Sequence, residues 1–333
     1  MRQVVAGVAL ALLVVASLVR APLARGENIT VLMDWIFYGV HAPYFSAIDL
    51  GLYKKGNLDV TIKRGYGSGD TVKKVGVGVA QFGMADAGTM IIARSRGTST
   101  KQIAMIHAKS MYTFIALADS GIRTPKDLRG KTIGNTATAS TTVIFPAFAA
   151  ANGLEQGAVK FLTMSVSAKF PSLLAGRVDA IGGYATDVPI ARAKARAAGK
   201  SLVQVKWADS GIDLYSNGLL TNDKIIRDQA DLVRRFVHAS MEGWAWAWKN
   251  PDGAARIFKK HVVEADEKLA RGVLQVALDH LVDKGVAKNG LGHMDPEKMK
   301  KTRDVMVQFK KLSVVPAVED VYTNQFLPKI FVR

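Results

Sequence analysis

Ile29, Val31 and Met33 alternate with Thr30 and Leu32 before the chain reaches Asp34. That period of two predicts a strand. The pattern then breaks: Asp34, Trp35, Tyr38 and His41 follow within eight residues, and Gly39 permits a turn among them. Pro43 suits the first turn of a helix, where its missing N–H leaves no bond unmade. Acid, indole, phenol and imidazole at a strand's C-terminal end are what a small-molecule cleft needs. A core tryptophan beside an ordinary polar loop is the competing reading of the same residues.

Further along, the periodicity alternates between strand and helix. Strands are expected at 58–62, 82–87, 102–107 and 112–118, with helices at 43–55, 70–78 and 89–96 between the earlier ones. A second unit opens near Gly121. Thr124-Pro125 starts a short helix, and strands fall at 132–134, 159–163, 178–181 and 202–205, with helices through 150, at 168–175 and at 187–198. After a short strand at 218–221 nearly everything is helical, beginning with a long amphipathic run over 222–248. Alternation of this kind predicts an α/β fold with largely parallel sheets. Two lobes joined by two crossings, near Leu117 and Leu219, are the simplest arrangement. The expected division is 27–117 with 219–333 as the first lobe, its C-terminal helices included, and 118–218 as the second. A cleft between the lobes would hold a ligand.

The first 26 residues stand apart. Arg2 precedes an apolar run over 4–19, and Ala24-Arg25-Gly26 supplies small residues where a signal peptidase reads. A secretory leader cut before Glu27 is expected. A membrane anchor fits less well, because about 20 apolar residues are needed to span. Absence of cysteine removes disulfides, thiolate metal sites, cysteine nucleophiles and a lipid-modified cysteine together. The whole chain carries a formal charge of +17. Without Arg2, Arg20 and Arg25 it falls to about +14. Lysine and arginine are spread along the chain with no basic, aromatic-interleaved stripe, so a nucleic-acid partner is not expected. An anionic ligand gains mild support.

Two other segments carry candidate chemistry. Gly65 to Thr71, GYGSGDT, is a glycine-rich loop whose N–H groups could hold an anion; it lacks the dinucleotide-binding spacing. A tight turn capped by Ser68 or Asp70 is the alternative. Asn135 to Thr142 holds five hydroxyl residues in eight, more than one helix start needs. Tyr184 and Asp187 follow a strand through Gly182-Gly183 and could line the same cleft or a surface loop. Catalysis finds little support. No two of His41, His107, His238, His261, His280 and His293 sit at metal-ligand spacing, and nucleophile-elbow and P-loop patterns are absent. Trp244 and Trp248 share a helix face and read as core.

Four passages together resemble a family: DWIFYGVHAPYFSAIDLGLYKKGNLDV from Asp34, GSGDT with VGVAQFGMADAG ending at Gly88, TPKDLRGKTIG from Thr124, and LLAGRVDAIGG ending at Gly183. They are similar to the periplasmic solute-binding proteins of ABC importers, in the nitrate, sulfonate, taurine and thiamine-pyrimidine-precursor group. The resemblance implies a two-lobed, hinge-closing periplasmic-binding-protein fold of type II, each lobe a mixed, mostly parallel sheet flanked by helices. It implies a periplasmic monomer, no cofactor and no metal. Its partners would be a small organic ligand, anionic or heteroaromatic, and a membrane permease with its ATPase. Matching positions place Asp34, Trp35, Tyr38, His41, Ser68 and Thr89 in the first lobe wall. Thr138, Ser140, Thr141, Tyr184 and Asp187 face them. The chain departs from the pyrimidine binders in having Gly39-Val40-His41 where they carry an Asn-His step, and Asp187 where they favour Glu. Pyrimidine synthases and porphobilinogen deaminases of similar fold depend on cysteines that this chain lacks, so an enzyme is not expected. A periplasmic ligand-sensing module serving a membrane sensor is the other reading that keeps the cleft.

Overall fold

A computed structural model describes residues 26–310, 312 and 314–332. Residues 1–25 of the expected leader lie outside these. Ten strands form two five-stranded sheets among the described residues. The first contains β1 (Glu27–Leu32), β2 (Leu58–Lys63), β3 (Phe82–Asp86) and β4 (Thr100–Met105). The second contains β5 (Tyr112–Leu117), β6 (Thr132–Asn135), β7 (Lys160–Thr163), β8 (Ala180–Tyr184) and β9 (Leu202–Lys206). The chain then returns to the first sheet as β10 (Asn217–Asn222). Strand orders are β2-β1-β3-β10-β4 and β7-β6-β8-β5-β9.

In each sheet the first strands pair in parallel and the strand that crosses from the other lobe pairs antiparallel: β10 against β3 and β4, and β5 against β8 and β9. Central strands β3, β5, β8 and β10 are buried along their whole length. Continuous apolar runs such as YTFIAL in β5 follow from coverage on both faces.

That burial also explains one correction. The expected boundary put residues 112–117 in the first lobe, whereas β5 is hydrogen-bonded within the second sheet. The crossings therefore lie at 106–111 and 207–216, not near Leu117 and Leu219. A uniformly apolar strand fits either core, so periodicity cannot say which sheet it joins. The two crossings run side by side: the N–H groups of Ile106 and His107 both donate to the Asn217 carbonyl, at 3.1 and 2.8 Å.

The long helical run is split at Gln229 into Asp223–Asp228 and Ala230–Lys249. Trp244 is fully buried and meets Tyr44 edge-on at 5.9 Å between centroids, as a core tryptophan should. A Cβ on Gly243 would stand 2.5 Å from the Pro43 carbonyl oxygen, so only glycine lets this helix pack against Ala42–Asp49. The tail is not confined to the first lobe: helix Pro296–Lys310 packs against both Ala87–Arg94 and Phe145–Ala151. Glu267–Leu281 reaches Val188–Ala197 of the second lobe.

Candidate functional site

Parallel strands end at a common edge, so the loops after β1, β2, β3, β6 and β8 converge where the lobes meet. The loop after β1 is held rigidly. Thr71 Oγ1 donates to the Met33 carbonyl at 2.9 Å, Gly65 N–H to that of Trp35 at 2.9 Å, and Gly67 N–H to that of Asp34 at 2.8 Å. A Cβ at Gly65 would sit 2.0 Å from the Met33 oxygen, which explains why glycine opens this loop.

Between the lobes lies a cavity of about 40 Å³. Asp34, Trp35, Tyr38 and Ser68 line it from the first lobe. Ser140, Thr141, Tyr184 and Asp187 line it from the second. Eight expected residues thus meet around one space. His41 stands behind the wall, its Nε2 3.0 Å from Asp34 Oδ1, and is fully buried. Thr89 is also buried off the cavity, where its N–H donates to Asp86 Oδ1 at 2.7 Å and caps a helix. Thr138 lies at the rim and ties the lobes together. Its hydroxyl donates to the Tyr66 carbonyl at 2.6 Å, and its own carbonyl accepts from Gly69 N–H at 3.3 Å. These three are therefore corrected from lining to supporting positions; sequence spacing placed them near the edge but not on its surface.

Sequence reasoning missed four important groups. Lys169, only 4% exposed, projects into the cavity and holds its ammonium 5.1 Å from the Trp35 ring centroid. Cation–π attraction of that kind strengthens where water is excluded. Burial pushes the Lys169 ammonium pKa down, opposed by the nearby Asp187 carboxylate, and burial pushes the Asp187 carboxyl up. One lysine in so basic a chain has no distinguishing sequence signal. Asn135 belonged to a segment already singled out; its Nδ2 donates to Thr141 Oγ1 at 2.8 Å. Gly182 makes room for that pair, since a Cβ there would stand 2.4 Å from Asn135 Nδ2.

Asn217 and Asp86 complete a buried polar chain across the lobes. Asn217 Nδ2 donates to Asp34 Oδ2 at 2.6 Å, and Tyr184 Oη donates to Asn217 Oδ1 at 2.9 Å. Tyr112 donates to Asp86 Oδ2, and the Asp86 N–H donates to Ser68 Oγ at 3.1 Å. The order His41, Asp34, Asn217, Tyr184 runs from one lobe into the other through three hydrogen bonds, with His41 Nδ1 left without a partner at its far end. Burial dominates at Asp86 and raises its pKa from 3.8 to about 6, against the lowering effect of Tyr112 and Thr89. The folded state therefore holds this proton more tightly than the unfolded chain. Its stabilising contribution is complete below the unfolded value and is lost as pH rises through about 6. At roughly 1.4 kcal/mol per pKa unit, stability should fall by about 3 kcal/mol over that window. Urea midpoints measured across it should show the fall, and Asp86→Asn should flatten it; an unchanged slope in the variant would remove Asp86 as the cause.

Among the described residues no group of three or more His, Asp or Glu is placed to hold a metal ion. None of the helices there is long and apolar enough to cross a membrane.

Two lobes, two crossings and a cleft at the strand ends define a periplasmic-binding-protein fold of type II. The alkanesulfonate-binding protein SsuA of Xanthomonas axonopodis pv. citri, solved with MOPS bound, superposes with a TM-score of 0.68 at 13% identity, over 90% of this chain and all of that one (100%). The NMT1/THI5-like family model matches residues 39–254, and the chain belongs to that family. It is 27% identical to the riboflavin-binding protein RibY of Chloroflexus aurantiacus, over 91% of this chain and 86% of that protein. Identity to the formylaminopyrimidine-binding protein of Halalkalibacterium halodurans is 24%, over 81% and 82% of the two chains. A 4-amino-5-hydroxymethyl-2-methylpyrimidine phosphate synthase of Legionella pneumophila matches at 27% identity over 32% of this chain and 34% of its own.

Proposed function

We propose that this protein captures a small organic molecule between its lobes outside the cytoplasm and delivers it to a membrane permease driven by an ATPase. One observation carries the reading: charged and aromatic side chains from both lobes, buried Asp34 and half-buried Trp35 against buried Lys169 and half-buried Asp187, face a single interlobe space. A ligand that touches both walls favours the closed arrangement over the open one, which is how hinge-bending binding proteins trap their cargo.

Trp35 offers an aromatic face, while Asp34 and Asp187 accept hydrogen bonds and Lys169 donates them. A flat heterocycle bearing N–H or O–H donors together with an acceptor or anionic group satisfies all four. The names of the relatives support such a ring. We read the protein as a binding protein and not an enzyme, because none of the described cavity residues forms a catalytic pair. His41 is tied to Asp34 behind the wall, and no nucleophile is paired with a base in the cavity.

Thermal melts with riboflavin, a formylaminopyrimidine, alkanesulfonates and nitrate test this reading, since a ligand of the folded state raises the melting temperature by mass action. At least one heterocycle should shift the melt. Trp35→Ala should then weaken its binding by about tenfold, the scale of a lost aromatic contact. Absence of any shift across the panel would overturn the importer reading, and full affinity in Trp35→Ala would remove the indole from the site.

A further inference from the structure

Beside the interlobe cavity opens a second space of about 250 Å³. It shares Trp35, Tyr38, Lys169 and Asp187 with the cavity and continues outward past them. Beyond those four, its walls change character. Ile36 projects from the first-lobe loop, Phe170 and Pro171 from helix Lys169–Leu174, and Ile190 from helix Val188–Ala197. Lys194 stands at the exposed rim. The inner end alone carries the hydrogen-bonding side chains Asn135, Ser140 and Thr141, and has a volume of about 40 Å³. One water-sized occupant needs about 10–15 Å³ by such a measure, so the inner end takes only a few heavy atoms. The outer end is mostly apolar and several times larger.

We propose that the two spaces form one slot, and that the ligand enters it polar end first. A short hydroxylated or otherwise hydrogen-bonding arm reaches Asn135, Ser140 and Asp34. The flat ring system stays in the outer groove, against Trp35 on one lobe and Phe170 and Ile190 on the other. Lys169 sits at the junction and meets acceptor atoms where ring and arm join. The ligand class is thus an amphiphilic molecule, an aromatic body of two or three fused rings with a polar arm. A single small ring or a bare inorganic anion would leave the apolar groove unfilled. This inference rests on the proposed capture function and adds ligand class and orientation to it.

Riboflavin, lumichrome (the same fused-ring skeleton without the arm, as the alloxazine tautomer) and free ribitol (the arm alone) separate the parts. Titrations followed by flavin fluorescence and calorimetry should show riboflavin binding at least about tenfold more tightly than either fragment. Ile190→Asp places a charge on the groove wall at a half-exposed position that also packs against the core, so its unliganded melt and circular dichroism are recorded first to establish that it folds. It should weaken riboflavin and lumichrome by the same factor of about ten, whereas Ser140→Ala should weaken riboflavin and leave lumichrome unchanged. Lumichrome as tight as riboflavin, or riboflavin binding untouched by Ile190→Asp, would overturn the slot while leaving capture intact. If nitrate or a sulfonate binds the parent protein and riboflavin does not, the slot again falls and capture stands. Silence from every compound would sink both.

Discussion

Asp34→Ala is expected to lower the unfolding free energy by about 2–6 kcal/mol, the sum for two buried groups left without their acceptor. The carboxylate is 4% exposed and serves two partners, His41 Nε2 at 3.0 Å and Asn217 Nδ2 at 2.6 Å. Alanine leaves both donors stranded where water does not reach, at about 1–3 kcal/mol for each unsatisfied group. Asn217 in turn loses its fixed orientation towards Tyr184, so one substitution disturbs both lobes. Urea titration should show a lower midpoint with an unchanged slope, because the surface exposed on unfolding hardly alters. Asp34→Asn should lie between the two, since its oxygen can still accept one bond while its amide faces the Asn217 donor. An alanine variant as stable as the parent would show that the network contributes nothing.

The second large effect concerns closure. Gly67 has φ +115° and ψ 150°, a region that side chains other than glycine rarely occupy. A Cβ there would stand 2.5 Å from Thr138 Oγ1 and 2.8 Å from the Thr138 carbonyl oxygen, across the lobe boundary. Gly67→Val is therefore expected to oppose the closed arrangement in particular, because its three nearest neighbours all belong to Thr138 of the other lobe. Apparent affinity scales with the population of the competent state. A closure penalty of about 3 kcal/mol corresponds to roughly a hundredfold weaker binding. Small-angle scattering should report a larger radius of gyration in the presence of ligand than the parent shows. Parental affinity and a parental scattering profile would mean that the contact with Thr138 plays no part in closing.

Both predictions concern residues already conspicuous in the sequence, and the reason is local. Asp34 marks the point where strand alternation ends, and Gly67 lies in a glycine-rich turn between strand and helix. Parallel strands deliver their C-terminal loops to one edge, so residues just past β1, β6 and β8 reach the cleft without any knowledge of distant contacts. The same logic overreached at His41, Thr89 and Thr138. His41 and Thr138 lie within a turn of lining residues but point behind the wall and at the rim, and Thr89 is buried within the helix after β3, from which no residue lines the cavity.

By itself the sequence determined the α/β class, nearly every strand and helix, and the loops that would carry the site. Those properties follow from periodicity and turn chemistry within a few residues. Only the tertiary structure decided which sheet β5 joins, that Lys169 is desolvated against Trp35, and that Asn217 reaches Asp34 across 183 positions. It also decided that helix Pro296–Lys310 touches both lobes. The physical reason is that burial and pairing are set by long-range packing. A lysine or an apolar strand looks the same in sequence whether it ends in water, in one core or in another.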